Sequence, residues 1–395
     1  MTEPEPSPES PRRRMHEALV GNWREALLLP TLALITALAV SAAIVVLSDL
    51  DNLERIGSEP GAALSSMLTS TGEAYRALFI GAFGSTRAVS ETLTNATPYI
   101  IAGLALGLSF RAGLFNIGGL GQMIVGGLCA TWVGFTFSLP AIVHIPLALF
   151  AALLGGAAFG AIPGLLKAHT GAHEVITTIM LNNIALLLLT WVLKTNRFRA
   201  EGRLDPISKP IDDSARLTRL LGFLDRSDLR VHIGFLLALV LAAFVGWLLF
   251  RTSLGFEFRA VGANPMAAHY AGMRVPALTA GVLALSGGLA GIAGANEVLG
   301  VQGRAAPGFA GSIGFDAISV ALLGRSHPAG IVAAGLLFGA LRAGAQEMQA
   351  ATDVPIDMIQ IVQSLVIVFI AAPALIRALW RVRTSAIEPV QGATA

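Results

Sequence analysis

Amide side chains that could bind a small polar solute interrupt the apolar stretch between residues 95 and 123, NATPYIIAGLALGLSFRAGLFNIGGLGQM. Asn95, Asn116 and Gln122 can each donate and accept hydrogen bonds without carrying a fixed charge, and they are costly to expose to lipid. Pro98 and the glycines between 113 and 121 would break a helix there. The segment therefore predicts either a binding path for a solute or a helical hairpin whose amides cap the helix ends.

A second set of polar residues lies in the segment HEVITTIMLNN, residues 173–183. Glu174, Thr178 and Asn182 are spaced four apart and would form one stripe along a helix. We expect the Thr178 and Asn182 part of this stripe to line a path inside a helix bundle. Glu174 is better explained by a helix start, where the helix dipole favours a carboxylate. Asp316, which opens a short apolar run, is interpreted as a helix cap.

Signatures of enzymes are absent from the sequence. It contains no GxxxxGK[ST] phosphate loop, no GxSxG elbow, no HExxH and no Cys-x-x-Cys. His169 and His173 lie four apart, but they lack a third metal ligand and are expected to be solvated. The glycines between 287 and 294 are interpreted as helix-packing residues. We therefore predict no catalytic residue, no metal site and no cofactor, so the energy for any work must come from elsewhere.

Composition identifies the elements that must position these residues. Hydrophobic residues make up 54% of the 395-residue chain and charged residues only 13%, whereas soluble domains carry about 25% charged residues. The charges separate apolar runs that are long enough, at ~20 residues each, to cross a bilayer. The predicted fold is an all-α polytopic membrane protein with about ten spans: 26–47, 93–110, 119–138, 141–166, 174–194, 231–250, 276–297, 312–325, 328–345 and 357–376.

Two apolar segments depart from a simple span. The eighth predicted span is short, which is typical of a broken or re-entrant helix lining a cavity. Residues 62–83 mix apolar and polar side chains at near-helical spacing, which indicates a helix along the membrane surface. The 43 glycines, many within the apolar runs, favour close helix packing. The single cysteine, Cys129, excludes an intrachain disulfide.

The ends of the chain are basic, which favours placing both termini in the cytoplasm. With both termini inside, the long 194–230 loop lies on the outer side of the membrane. Its Lys and Arg residues then remove the excess of positive charge on the cytoplasmic side, which opposes this orientation. We predict a disordered cytoplasmic tail over residues 1–25 and a transmembrane domain over residues 26–376. That domain contains a polar cytoplasmic loop, residues 251–275. A second cytoplasmic tail follows, residues 377–395.

A weak internal similarity suggests two repeats. Placing Phe159 against Phe338 also places Glu174 opposite Asp353. If spans one to five and six to ten are repeats, their odd number makes them inverted in the membrane, as in many transporters. Chance similarity among Ala, Gly and Leu runs is the alternative.

Four segments carry a resemblance to a known family: RAGLFNIGGLGQM, EVITTIMLNNIAL, RAVGANPMAAHYAGM and GFDAISVALLGRSHPAGI. Together, over residues 75–375, they resemble the permeases of ATP-binding-cassette importers for simple sugars, nucleosides and branched-chain amino acids. Three of the four look closest to the nucleoside branch. That branch usually has a Glu between two glycines where this chain has Leu120, which puts a role for that carboxylate in doubt.

The resemblance implies three partners: a cytoplasmic ATPase, a second permease, expected to form a heterodimer, and an extracytoplasmic substrate-binding lipoprotein. It also implies a bacterial cytoplasmic membrane. A short helix near residues 264–272 would dock into the ATPase, with Asn264 as its cap, Pro265 at its first position and Gly272 as its stop. The docking residues implied are Arg259, Gly262, Asn264, Pro265, Ala268, Tyr270 and Gly272. A solvated loop is the alternative.

We therefore predict a permease subunit of an ATP-driven importer, with a nucleoside as the expected solute. Its path would use the amides and hydroxyls of Asn95, Asn116, Gln122, Thr178 and Asn182. A sugar or branched-chain amino acid permease is the nearest alternative. An ion-coupled secondary transporter would need more acidic residues within its spans, and a membrane scaffold would need no polar faces there.

Overall fold

The computed structural model describes residues 11–48, 50–222, 226, 228–352, 360–361, 364–365, 368–369 and 372–381. The chain forms two compact units, one of Met1–Thr71 with Asp357–Ala395 and one of Gly72–Ile356. Every residue predicted to bind a solute or a partner lies in the second unit. The described residues form helices, with only isolated β-bridges between loops.

The first unit contains α1 (Pro11–Ser48), α2 (Leu50–Arg55), the start of α3 (Pro60–Phe83) and α14 (Pro373–Trp380). The indole nitrogen of Trp380 donates a hydrogen bond to the hydroxyl of Thr36 over 2.9 Å. Helix α1 includes residues 11–25, which the sequence assigns to the N-terminal tail. Nine of the 20 residues of the predicted tenth span, 357–376, lie outside the described residues.

The second unit contains the remaining helices: α4 (Thr86–Arg111), α5 (Gly119–Thr136), α6 (Ala141–Thr170), α7 (Glu174–Lys194), α8 (Gly234–Arg251), α9 (Ser253–Ala263), α10 (Pro265–Tyr270), α11 (Val275–Asn296), α12 (Ile313–Leu323) and α13 (Pro328–Ala351). A π-helical segment, Glu297–Gln302, extends α11.

Seven helices of the described chain are long and apolar enough to cross a membrane: α4, α5, α6, α7, α8, α11 with its π-helical extension, and α13. They match predicted spans two to seven and nine, which confirms an all-α polytopic protein. The eighth predicted span is confirmed as short, since α12 has 11 residues. The apolar part of α1, Thr31–Leu47, and α12 are both below the length of a full span. Residues 62–83 are helical, within α3.

Helix α11 lies against α6 with backbone touching backbone. A Cβ atom added to Gly287 would overlap the carbonyl oxygen of Gly156, and one added to Gly291 would overlap that of Ala152. Contacts this close are the usual way in which membrane helices without a hydrophobic driving force gain packing energy. The prediction that these glycines serve packing is confirmed.

The packing pairs support the predicted inverted repeat. Helix α6 packs on α11 and α4 packs on α13, which are spans four and seven and spans two and nine. Likewise α5 packs on α11 and α4 on α12, which are spans three and seven and spans two and eight. If every span is replaced by its equivalent in the other repeat, five places along the chain, the contact of spans four and seven becomes that of spans nine and two. In the same way, the contact of spans three and seven becomes that of spans eight and two. A pseudo-two-fold axis between inverted repeats requires this exchange.

Helix α8 separates the two long polar segments of the bundle. Its 18 residues span about 27 Å, close to the ~30 Å thickness of a hydrocarbon core. Residues 195–222 therefore lie at one end of the bundle and residues 252–274 at the other. The first segment is tied to the π-helical region, since Leu217 N donates to Leu299 O and Ile211 N donates to Gly303 O, both over 3.0 Å.

Candidate functional site

The non-helical segment between α4 and α5 is held by a network of amides. The Nδ2 atom of Asn116 donates to Gln122 Oε1 over 3.1 Å and to Ser286 Oγ over 3.0 Å. Its Oδ1 atom accepts from Gly118 N over 2.9 Å. Ser286 in turn donates to the carbonyl oxygen of Ala105 over 2.7 Å. Asn116 is completely buried, so the break between two helices is closed by one side chain.

Helix α7 supplies the rest of this network. Asn182 donates from Nδ2 to Ile117 O over 3.0 Å and accepts from Gly121 N over 2.9 Å. The hydroxyl of Thr178 accepts from Ile117 N over 3.3 Å. The predicted stripe on α7 therefore faces the bundle interior, where it meets the backbone of the 112–121 segment. We call Asn116, Gln122, Thr178, Asn182 and Ser286 the amide cluster.

Glu174 begins α7, as expected from the sequence. Its carboxylate forms an ion pair with Lys167 of α6 and accepts a hydrogen bond from Phe115 N over 3.4 Å. Lys167 was not identified from the sequence as its partner. The turn between α6 and α7 folds the chain back and brings the two charges together.

Four of the five predicted path residues thus come together, and the fifth does not. Asn116, Gln122, Thr178 and Asn182 are all at most 3% exposed and hydrogen bond within the protein. Asn95 lies apart on α4, where its Nδ2 donates to Glu91 O over 2.9 Å. In this conformation the amide cluster matches the predicted hairpin whose amides satisfy broken helix ends.

Asn95 borders a polar cavity of about 190 Å³, enough for roughly six water molecules at ~30 Å³ each. Apolar side chains of Pro98, Val301 and Ile313 form part of its wall. The remaining lining residues are all polar or charged: Glu91, Thr94, Asn95, Arg230, Glu297, Gln302, Arg342 and Gln346. We call this space the polar cavity.

A chain of hydrogen bonds runs from the polar cavity into the bundle. Arg342 donates from Nη1 to the hydroxyl oxygen of Tyr99, and Tyr99 donates to Asp316 Oδ2, both over 3.2 Å. Asp316 also accepts from Ser312 Oγ over 2.7 Å. The interpretation of Asp316 as a helix cap is wrong, because Ser312 holds the cap position of α12. The carboxylate instead joins α12 to α4.

The segment after α8 contains the predicted short helix. Helix α10 begins with Pro265, and Asn264 caps it by accepting from Met266 N and Ala267 N, each over 3.0 Å. Gly272 follows it with a φ of +83°, a conformation that glycine adopts without strain. The start and the stop of this helix are confirmed. Helix α9, which precedes it, was not predicted.

The seven predicted docking residues differ in exposure. Tyr270 is 84% exposed, and its neighbour Met266, which was not predicted, is 62% exposed. Ala268 is the buried residue of α10. A Cβ on Gly262 would overlap the carbonyl oxygen of Arg111 at the end of α4. Tyr270 is therefore available to a partner, whereas Gly262 and Ala268 hold α9 and α10 in place.

Arg259 lies on α9 and faces the bundle. Its guanidinium carbon is 5.5 Å from the centre of the Phe250 ring, which is the geometry of a cation–π contact. Asn264, Pro265 and Gly272 set the ends of α10.

Residues 88–371 match the family described as branched-chain amino acid transport system, permease component. This chain belongs to that permease family. It is accordingly a transport component with several membrane spans, and the resemblance inferred from its sequence motifs is confirmed.

Relatives of this permease include proteins named for different solutes. The guanosine ABC transporter permease protein NupP of Bacillus subtilis is 38% identical over 89% of this chain and 94% of its own length. The glucose ABC transporter permease protein TsgB13 of Haloferax volcanii is 36% identical over 78% and 83%. The guanosine ABC transporter permease protein NupQ of Bacillus subtilis is 29% identical over 64% and 79%. No solved structure matches the chain.

Leu120 of the permease stands where the nucleoside branch usually has a carboxylate. It is 7% exposed, and a Cβ on Gly314 of α12 would overlap its backbone. The backbone of Leu120 therefore lies at the crossing of α5 and α12, and a carboxylate at this position would be buried.

Sequence reasoning missed Glu297 and Arg342 of the polar cavity, although a signal was present. Glu297 is the one ionisable residue in predicted span 276–297, and Arg342 is the one in span 328–345. Charged residues within membrane spans are rare and usually face a cavity or pair with one another. That rule would have identified both residues.

Proposed function

We propose that the permease carries nucleosides across a bacterial cytoplasmic membrane as one subunit of an ATP-binding-cassette importer. The observation that carries this proposal is the 38% identity to a guanosine permease over 94% of that protein. Transport of a simple sugar is the second candidate, because a glucose permease is 36% identical over 83% of its length.

Two permease subunits would enclose the path. NupP and NupQ, both named as guanosine permeases of one organism, are each similar to this chain but to different degrees. This difference favours a pair of unlike permeases, with the present chain in the position of NupP. An extracytoplasmic lipoprotein would deliver the solute to the assembly.

A cytoplasmic ATPase would supply the energy by binding α10. The exposed Tyr270 and Met266 support this role, because aromatic and Met side chains are enriched in interfaces. ATP would be bound and hydrolysed in that partner, so the permease itself would need no cofactor. Arg259, Gly262, Asn264, Pro265, Ala268 and Gly272 would act mainly by fixing the shape of the docking surface.

The solute would pass from the polar cavity, at Asn95, towards the amide cluster. In the conformation described, Asn116, Gln122, Thr178 and Asn182 bond to one another or to backbone. They would contact the solute only when the 112–118 segment moves away from α7. A closed polar cluster below a polar cavity is consistent with alternating access, in which one side is shut while the other is open.

Uptake of labelled guanosine into vesicles tests the proposal. The vesicles would hold the permease with its candidate partners, with and without internal ATP. We expect ATP-dependent uptake that falls at least about 10-fold in a Tyr270→Ala/Met266→Ala variant, as for loss of an interface hot spot. Leu204→Ala is the matched control, since Leu204 is 94% exposed on the segment at the opposite end of α8.

Other outcomes would change the conclusion. Uptake that ignores ATP and follows an ion gradient would establish a secondary transporter. ATP-dependent uptake of glucose or leucine, without guanosine, would keep the importer and change its solute. Equal loss in the Leu204→Ala control would contradict docking at α10.

A further inference from the structure

The charges around the polar cavity are balanced. Arg230 forms an ion pair with Glu91, with Nη1 and Oε2 separated by 3.3 Å. The other two charged lining residues, Glu297 and Arg342, also have opposite signs. A cavity with two cations and two anions gives neither an anionic nor a cationic solute a clear electrostatic advantage. Its lining favours a neutral solute.

The same lining offers both donors and acceptors. Arg342 has five N–H donors, and Tyr99 accepts from one of its nitrogens. Glu297 offers carboxylate oxygens, and the carbonyl oxygen of Asn95 remains an acceptor when its Nδ2 bonds to Glu91 O. A ligand that matches this lining must itself donate and accept at neighbouring atoms. Adjacent hydroxyl groups on one ring do so.

The size of the cavity limits how much of a solute it can hold. Ligand pockets that enclose a whole drug-sized molecule have volumes of about 300–1,000 Å³. The polar cavity, at about 190 Å³, is smaller. It has room for one hydroxylated ring.

The solutes named for the relatives point to the same group. Guanosine consists of a base joined to a ribose ring, and glucose is itself a sugar ring. Their shared feature is a ring with adjacent hydroxyls, whereas the base is present in only one of them. A permease fold that serves both solutes needs a place for the ring.

We infer that the polar cavity is a subsite for the sugar ring of the solute, in which Glu297 and Arg342 hydrogen bond to adjacent ring hydroxyls. This inference rests on the proposed function. Asn95 and Gln346 border the same cavity and complete the polar wall. The subsite recognises the ring and leaves the base outside, so solutes with different bases would pass equally well.

The test compares guanosine with 2′,3′-dideoxyguanosine, which lacks both ring hydroxyls. Initial uptake rates are measured with the complete importer at saturating lipoprotein, for the wild type, Glu297→Gln and Glu201→Gln. Glu201 makes the same chemical change on an exposed loop. The lipoprotein is identical in every sample. Its own preference between the two solutes therefore cancels when the uptake rate of each variant is divided by that of the wild type for the same solute.

We expect Glu297→Gln to lower guanosine uptake by about 10-fold, because the Gln amide oxygen still accepts a hydrogen bond but without the charge that strengthens it. Uptake of the dideoxy solute should fall less than about 2-fold, because it makes no such bond. Glu201→Gln should change neither rate. Equal losses for both solutes, or no loss for either, would overturn the subsite.

A second variant covers the case in which Glu297→Gln fails to insert into the membrane. Gln346 borders the cavity from an exposed position, so Gln346→Leu should preserve the fold and give a smaller selective loss, of about 3- to 10-fold. A non-selective result for this variant would also overturn the subsite.

Failure of the proposed function would appear differently, as absent guanosine uptake in the wild type. Glucose and its 3-deoxy analogue would then take the place of the two guanosines.

Discussion

The amide cluster and the polar cavity bury polar groups in opposite ways within one bundle. Ser286 of the cluster bonds to Ala105 on α4, and Tyr99, next to the cavity, lies six residues earlier on the same helix, about 9 Å along its axis. The cluster consists of neutral groups that bond within the protein. The cavity is lined by charges that face a space large enough for a ligand.

The inverted repeat makes this difference informative. In the first repeat, Asn116 precedes α5, bonds to Gln122 in its first turn and donates to Ser286 on α11. In the second, Asp316 begins α12 and reaches Tyr99 on α4. The two contacts join equivalent helices, yet one is neutral and the other charged. The fold can therefore join equivalent helices through neutral amides at one position and through a carboxylate that bonds to a tyrosine at the other.

The largest expected effect comes from breaking the frame that holds both regions. Gly287→Leu would force a side chain into the backbone of α6 at Gly156. We expect a loss of about 3 kcal/mol, the upper end of the usual cost of overpacking, since backbone faces backbone on both helices. The melting temperature of the purified protein in detergent measures it. Gly281→Leu is the control, because a Cβ there has no neighbour within 4 Å; equal melting temperatures would contradict the packing argument.

Asn116→Leu should break the amide cluster alone. It would leave Gln122 and the backbone N–H of Gly118 without their buried partner, at an expected cost of about 2–3 kcal/mol. The same melting experiment measures this cost. Asn183→Leu is its control, because Asn183 bonds only to a backbone oxygen of its own helix, that of Ile179. A stable Asn116→Leu protein would show that the cluster does not close the helix break.

The cavity end of the bundle should respond to pH, whereas the neutral amide cluster should not. Burial, with a smaller contribution from Arg230, lowers the pKa of His232 to about 4 from an ordinary value of ~6.5. The neutral imidazole is thus favoured in the folded state, and its stabilisation is complete above about pH 6.5. Below that pH the unfolded chain binds a proton first, so stability falls by ~1.4 kcal/mol per unit down to about pH 4.

Melting temperatures of the wild type and of His232→Gln at pH 7 and pH 5 test this dependence. On going from pH 7 to pH 5 the wild type should lose stability relative to the variant, because other groups titrate equally in both proteins. An equal change of melting temperature in both proteins would show that a group other than His232 causes the pH dependence.

The smallest expected effect on stability is that of Asn95→Leu. Asn95 is half-buried and bonds only to its own helix, so the change should cost under about 1 kcal/mol. Guanosine uptake should nevertheless fall, because the residue borders the cavity. If Asn95→Leu destabilised the protein as much as Asn116→Leu, the contrast between the two regions would fail.

Length and composition predicted most of the spans because a membrane demands long apolar helices. Helix α9 was missed because Gly255 and Gly262 lower its helix propensity. Its stability comes from contacts of those glycines with Leu248 and Arg111. Such contacts are tertiary and leave no periodic signal in the sequence.

The polar sites were predicted less completely than the spans. The spacing of Thr178 and Asn182 predicted one inward face, which the structure contains. It could not reveal that this face meets the 112–121 backbone, because the pairing depends on how α5 packs on α7. Glu297 and Arg342 lie 45 positions apart in sequence and border one cavity only because α11 and α13 both pack against α4.

Helix α9 packs on the bundle through buried side chains such as Phe258 and Val261, and its two glycines bring it into backbone contact with Leu248 and with Arg111. Side chains at an interface can absorb a small displacement by changing rotamer. Backbone atoms in contact have no rotamers, and protein interiors are hardly compressible. A displacement imposed on α9 therefore reaches the chain at Arg111, one residue before the 112–118 segment, with almost no slack. If a partner displaced α10, as proposed above, the backbone beside Asn116 would therefore move by nearly the same distance.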